Sequence, residues 1–210
     1  YFGGNTLDGG TLGVNIYETR KANILLHNNR LTNLTDGIRT SGLLADIGDN
    51  LDIAGNLIRT TGKSIDYTTN SLPGLIRSNT MVSDGTPLQL TDNSNLELCG
   101  NIAANLNGGE VVTFTGTNTL TTSWNDWFNY SSNPISNNPS LILSATDKTV
   151  DPLFRNIAGG DFALTTQSEL HDAGILAPDA RVQPTQLRRD RGDLTHEVAE
   201  GVDPVDARLV

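Results

Sequence analysis

Four residues of this chain have the types and the spacing to act together on a substrate: His27, Asp52, Arg77 and Glu97. Each stands two or four places before an Asn that recurs along the chain, at Asn29, Asn56, Asn79 and Asn101. If those Asn mark successive coils of a solenoid, the four side chains share one outward strand face, with neighbouring coils ~4.8 Å apart. Asp52 and Glu97 are then expected roughly 9–10 Å apart, at the far edge of the spacing that leaves room for water in an inverting glycosidase. Arg77 between them could instead neutralise the carboxylate of a uronic acid while His27 acts as base. The plain alternative is a solvated face on which Arg77 pairs with Asp52 and Glu97. Exposed pairs of that kind are common and contribute little. Arg39 and Arg59 belong to other outward faces, and the sequence does not bring them together.

The repeat that would position these residues is an apolar residue, two fillers and an Asn. It reads Phe2 to Asn5, Leu26 to Asn29, Ile53 to Asn56, Ile76 to Asn79 and Leu98 to Asn101. The Asn are separated by 24, 27, 23 and 22 residues. A further apolar residue follows two places later at Leu7, Leu31, Ile58 and Met81, with Ala103 in the fifth unit. A Gly closes each unit (Gly10, Gly37, Gly62, Gly85, Gly108), and a third apolar step follows at Leu12, Ile38, Ile65, Leu88 and Val111. Units this short cannot bury their own apolar face, but stacked they make one continuous core. The period of two within each piece specifies strands, and three short strands without a helix specify a parallel β-helix. Asn suits the corner because it tolerates left-handed backbone and can bond along a stack. The right-handed form is expected from the crossover rule. The longest unit, between Asn29 and Asn56, carries its excess near Ser41 to Asp49, which reads as a loop insertion.

Composition agrees with a narrow core. Aromatic residues make up 5% of the 210 residues, and there are 21 Gly. The formal net charge of −10 argues against nucleic acid as a partner, which needs a basic footprint. A single cysteine, Cys99, excludes an intrachain disulfide. No apolar run is long enough to span a bilayer. The chain starts at Tyr1 inside a repeat, so earlier rungs of the same protein are expected as a partner of the first unit. No cofactor is expected from these motifs. The one candidate is calcium, because the run Gly3 to Gly10 is faintly like a calcium-binding nonapeptide turn, although its third Gly is absent and it does not recur.

From Gly116 to Pro139 the repeat lapses, and Trp124, Trp127, Phe128 and Tyr130 crowd into one segment. The reading is a long aromatic loop near 116–139. It either covers the last rungs as a lid or offers sugar rings a stacking platform of Trp124, Trp127 and Tyr130. Trp127 is expected to be the exposed ring, and Trp124 the anchor. Beyond residue 174 the apolar period ends. Pro178, Pro184 and Pro204 interrupt it, and an extended tail over 175–210 is expected.

Between the loop and the tail stands Asp151-Pro152-Leu153-Phe154, then Gly160-Asp161-Phe162-Ala163-Leu164, Ser168 and Asp172-Ala173-Gly174. This run resembles the closing segment of secreted bacterial right-handed parallel β-helix proteins. Many of those are polysaccharide lyases, glycoside hydrolases or uronan epimerases, and others are surface proteins. The chain departs from their pattern at Glu169-Leu170-His171, where they usually have Pro and small residues. The resemblance implies a β-helix over 1–174 whose last rungs this segment completes. It also implies an extracellular or cell-surface setting and a polysaccharide partner, cleaved by a lyase or hydrolase reaction. The second reading is a non-enzymatic surface, adhesion or filament scaffold. No catalytic residue is carried over from the resemblance.

Overall fold

The structure is a computed structural model, and it describes residues 1–17, 23–43, 50–69, 74–91, 96–115, 120–129 and 141–170. The tail over 175–210, Tyr130 and most of the loop insertion near 41–49 lie outside the described residues. The described residues form strands and turns without a helix, and the parallel strands stack as a β-solenoid. They fall within one compact unit, Tyr1–Pro178.

One sheet stacks seven strands: β1 (Phe2–Gly3), β3 (Asn23–His27), β5 (Asn50–Ala54), β8 (Gly74–Arg77), β11 (Leu96–Cys99), β14 (Leu120–Ser123) and β16 (Leu141–Ile142). The second sheet begins with β2 (Thr6–Tyr17) on β4 (Arg30–Leu43), two strands long enough to serve two sides of their coil. The first half of β4 continues into β6 (Leu57–Thr60), β9 (Thr80–Ser83), β12 (Ile102–Asn105) and β15 (Asp126–Asn129). Its second half continues into β7 (Ile65–Thr69), β10 (Leu88–Thr91) and β13 (Val112–Thr115). An antiparallel hairpin of β17 (Phe154–Asn156) and β18 (Asp161–Leu164) completes the order.

The inward columns follow the repeat. Leu26, Ile53, Ile76 and Leu98 line the first side, and Leu31, Ile58, Met81, Ala103 and Trp127 the second, all fully or almost fully buried in one core. Gly74 takes an inward place between Leu51 and Leu96, and a Cβ there would lie 2.4 Å from the Tyr67 hydroxyl. The missing side chain makes room for the buried tyrosine.

The corner Asn form a ladder. In each coil the Asn donates its main-chain N–H and one Nδ2–H to Oδ1 of the next Asn. The other Nδ2–H goes to a main-chain carbonyl one coil back: Asn56 to Leu26, Asn79 to Ile53 and Asn101 to Ile76, each at 2.8 Å. The ladder Asn are buried from Asn29 onward, and every such group has its partner.

Four details differ from the sequence reading. The left-handed residue is not the Asn but the one before it: Gly4, Asn28, Gly55, Ser78, Gly100 and Trp124 have φ between 53° and 71°. The third apolar column runs through Val14, Ile38, Ile65, Leu88 and Val112, so Leu12 and Val111 stand out of register. The closing glycines belong to separate columns: Gly13 packs under Gly37, whereas Gly85 packs under Gly62. The repeat also continues through the described part of the expected loop, residues 120–129. Asn125 continues the ladder by accepting from Asn101 at 2.9 Å, and β14 and β15 flank it in register. Its signature in the sequence is weaker because Thr122 stands where other coils have an apolar residue three places before the Asn.

The hairpin differs from what the resemblance implies. It does not add a rung but lies on the flank of the second sheet. Phe162 packs with Val82 and Ala104, and Leu164 and Leu170 with Ile102.

Candidate functional site

The outward face of the first sheet carries His27, Asp52 and Arg77, and strand register brings them together. Asp52 stands beside Leu25 and Leu75, and two residues along, His27, Ala54 and Arg77 are neighbours in successive coils. Asp52 therefore sits diagonally between the histidine of the coil before and the arginine of the coil after. Its Oδ2 accepts from His27 Nε2 at 2.9 Å and from Arg77 Nη2 at 2.9 Å, and its Oδ1 accepts from Arg77 Nε at 3.2 Å. Partial burial pushes the Asp52 carboxyl up. The bonds and charge of Arg77, with those of His27, outweigh it and hold the group below the ordinary carboxylate range. The Asp52 carboxylate in turn holds the Arg77 guanidinium above its usual value.

This geometry separates the chemistries that the sequence allows. Both oxygens of Asp52 are engaged, which leaves it unsuited to share a water with Glu97 as acid or base. Glu97 is exposed and has no ion pair among the described residues. The sequence expectation that Arg77 bridges both carboxylates is thus met on the Asp52 side alone. In its neutral tautomer with Nε2–H donated to Asp52, His27 carries its acceptor at Nδ1, and an imidazole oriented in this way has the geometry of a general base. The edge of the Tyr1 ring meets the His27 ring with centroids 6.1 Å apart.

The two tryptophans exchange the roles expected of them. Trp127 is fully buried on β15, in the column of Leu31, Ile58 and Met81, so its indole is core and not a stacking surface. The spacing that gives it away is in the sequence, because Trp127 follows Asn125 by the same two places as Met81 follows Asn79. Trp124 is 51% exposed and stands at the left-handed corner, where other coils have Gly, Asn or Ser. Its N–H donates to Thr146 Oγ1 at 3.0 Å. Through the corner column of Ser78, Gly100 and Trp124, the ring lies two coils from the Arg77 rung, roughly 10 Å along the stack.

The run Gly3 to Gly10, faintly like a calcium turn in sequence, comprises the corner at Gly4 and Asn5 and the start of β2. Asn5 heads the ladder, and Asp8 Oδ1 accepts from Thr32 Oγ1 at 2.9 Å and Asn33 Nδ2 at 2.6 Å. No group of three or more His, Cys, Asp or Glu side chains able to hold a metal ion occurs among the described residues. No helix among them is long and apolar enough to cross a membrane. Arg39 and Arg59 are ion-paired apart, Arg39 with Asp36 at 2.7 Å and Arg59 with Asp84 at 2.8 Å. A cleft of about 690 Å³ that the sequence did not announce lies between the hairpin and the second sheet, lined by Asp8, Arg30, Thr32, Arg59, Ile157 and Phe162. The Arg30 guanidinium latches the hairpin tip by donating to the Gly160 carbonyl at 3.0 Å.

The solenoid thus sets an oriented histidine and an engaged aspartate–arginine pair on the outward face of its first sheet, and an exposed indole at the corner that follows that sheet. In comparisons with family models, curated proteins and solved structures, the chain matches none of them.

Proposed function

We propose that the protein is an extracellular carbohydrate-active β-solenoid that binds a polysaccharide along the outer face of its first sheet. Trp124 would serve as the stacking platform and His27 as the base. The observation that carries this reading is Trp124 itself. A bulky residue in left-handed backbone is strained by about 1–2 kcal/mol, and its indole is half exposed in water, so neither packing nor backbone preference favours it there. Display of an aromatic face explains both features. The ~4.8 Å spacing of coils lets an extended chain of sugar rings meet successive rungs, from Trp124 past Arg77 to His27. With Asp52 engaged, the arrangement suits proton abstraction next to a uronate carboxylate better than a two-carboxylate hydrolysis.

The second reading is a stiff non-enzymatic scaffold, favoured by the uninterrupted Asn ladder. One experiment separates the two. The protein is incubated with a panel of neutral and uronate polysaccharides while new unsaturated ends, new reducing ends and tryptophan fluorescence are followed. The proposal expects unsaturated ends that vanish in His27→Ala, and a fluorescence response that vanishes in Trp124→Ala. Binding without new ends, lost with Trp124, would reduce the reading to a carbohydrate-binding module. No response to any member of the panel would leave the scaffold.

A further inference from the structure

The outward face of the second sheet changes character along the stack. One column of it runs from Asp8 and Thr32, past Arg59, to Val82, Ala104 and Phe128. The hairpin of β17 and β18 packs on the apolar part of this column. Its turn, Ile157 to Gly160, overhangs the polar part. The cleft of about 690 Å³ between turn and sheet lies within the size range of small-molecule sites.

The walls of the cleft are fixed by hydrogen bonds. The Gly160 N–H donates to the Ile157 carbonyl at 3.0 Å, and the Gly159 N–H to Asn156 Oδ1 at 2.9 Å. Gly160 has φ 72°, and a Cβ there would lie 3.2 Å from Arg30 Nη2, so glycine both makes the turn and admits the guanidinium. On the sheet side, β4 shifts register between Leu31 and Leu34, with Asn33 in left-handed backbone at φ 55°. Such a bulge re-aims a side chain. Here Asn33 Nδ2 donates to Asp8 Oδ1 at 2.6 Å, beside the Thr32 hydroxyl at 2.9 Å.

The charges in the cleft are arranged unevenly. Arg59 is neutralised by Asp84 at 2.8 Å. Arg30 and Asp8 are oriented by neutral groups instead, Arg30 through Nη2 by the Gly160 carbonyl and Asp8 through Oδ1 by Thr32 and Asn33. A guanidinium has five N–H donors and a carboxylate two oxygens, so these bonds aim the two groups without exhausting them. Arg30 pairs with Thr6 across β2 and β4, and Asp8 stands two residues along, which sets the two Cβ atoms about 8 Å apart. Leu106, Ile157 and Phe162 add an apolar wall to the same cleft.

We propose that this cleft binds a free α-amino acid with a large apolar side chain. The ligand carboxylate meets Arg30, its ammonium meets Asp8, and its side chain lies against Leu106 and Ile157. Each charged contact is a charge-assisted hydrogen bond to a group already held in place. A zwitterion suits the protein better than a simple anion, because the formal net charge of −10 repels anions and leaves a neutral ligand indifferent. The site belongs to the second sheet and goes beyond the reading of the first-sheet face.

The test is calorimetric titration of the full chain with L-leucine, L-phenylalanine and the two halves of leucine's charge, isocaproate without the ammonium and isoamylamine without the carboxylate. Loss of one charge-assisted contact corresponds to affinity roughly ten- to a hundred-fold weaker, so leucine is expected to bind tighter than either half by that factor. Asp8→Asn keeps an oxygen for Thr32 and Asn33 and should abolish the preference for leucine over isocaproate. Arg30→Gln should abolish the preference for leucine over isoamylamine. Because each variant is read as a ratio of two ligands, a general weakening of the site does not mimic the result. Equal affinity of the parent for leucine and isocaproate would overturn the proposal in favour of a plain anion site. A preference for leucine that survives Asp8→Asn would overturn it as well, and so would the absence of heat with both amino acids. No ligand or variant in the series touches the His27 face, so the outcome is independent of any action on polysaccharide.

Discussion

Asp126 offers the sharpest test of the physical picture. It opens β15 beside Ile102, under the flank that Leu164 and Leu170 cover, and it is fully buried. Oδ1 accepts from the Val150 N–H at 3.0 Å, while Oδ2 has no partner among the described residues. Burial pushes its pKa from 3.8 up to about 7. The Val150 bond and Lys148 oppose the rise, and Asp151 adds to it. The folded chain thus holds a proton that the unfolded chain releases near pH 4. A raised pKa means stability that is whole below pH 3.8 and lost as the pH climbs through about 7. The full loss is about 4 kcal/mol, from roughly three pKa units at about 1.4 kcal/mol each, and about half of it falls between pH 5.5 and 8.5. Asp126→Asn keeps the acceptor for Val150 and cannot ionise. Urea unfolding of both proteins, in a Trp124→Phe background where Trp127 is the sole tryptophan, reads this coil directly. The variant is expected to gain about 2 kcal/mol on the parent between pH 5.5 and 8.5. A stability difference that stays constant across that range would refute the buried neutral carboxyl.

Three further outcomes follow from the geometry. Asn79→Ala removes a buried carboxamide that bonds Asn56, Ile53 and Asn101, and should lower stability by about 1–3 kcal/mol in the same urea assay, with an unchanged urea midpoint counting against the ladder. Trp124→Gly should raise stability by about 1 kcal/mol, since glycine adopts φ 58° freely, while it abolishes any fluorescence response to sugar. A loss of stability would mean that the indole is structural. Gly74→Ala sets a Cβ 2.4 Å from the Tyr67 hydroxyl and should cost about 1–3 kcal/mol by calorimetry, with Tyr67→Phe in the same chain restoring part of it.

The repeat was legible because apolar residues move with the Asn from coil to coil, and the strand register expected from it is the one observed for His27, Asp52 and Arg77. Side-chain pairing was legible only in part. A register tells which residues neighbour one another, but the rotamers decide that Asp52 turns to His27 and Arg77 and that Glu97 is left in solvent. Trp127 was misread because its neighbourhood is aromatic and polar, although its place two after Asn125 already assigned it to the core. The hairpin's flank position had no local signature, since it depends on contacts such as Arg30 with Gly160, 130 residues apart.

That hairpin also has a consequence for the order of events at the ribosome. Coils can close one after another as they emerge, each on the edge of the last. Among the described residues, the strip of Val82, Ala104 and Phe128 on the flank packs against Phe154, Ile157 and Phe162, which are made after it. At synthesis rates of about 5–20 residues per second, a finished stack stands for roughly several seconds with an apolar flank open to other nascent chains. A chain stopped before Phe154 would keep that flank bare for good. Premature termination should therefore yield a folded but adhesive solenoid rather than an unfolded one.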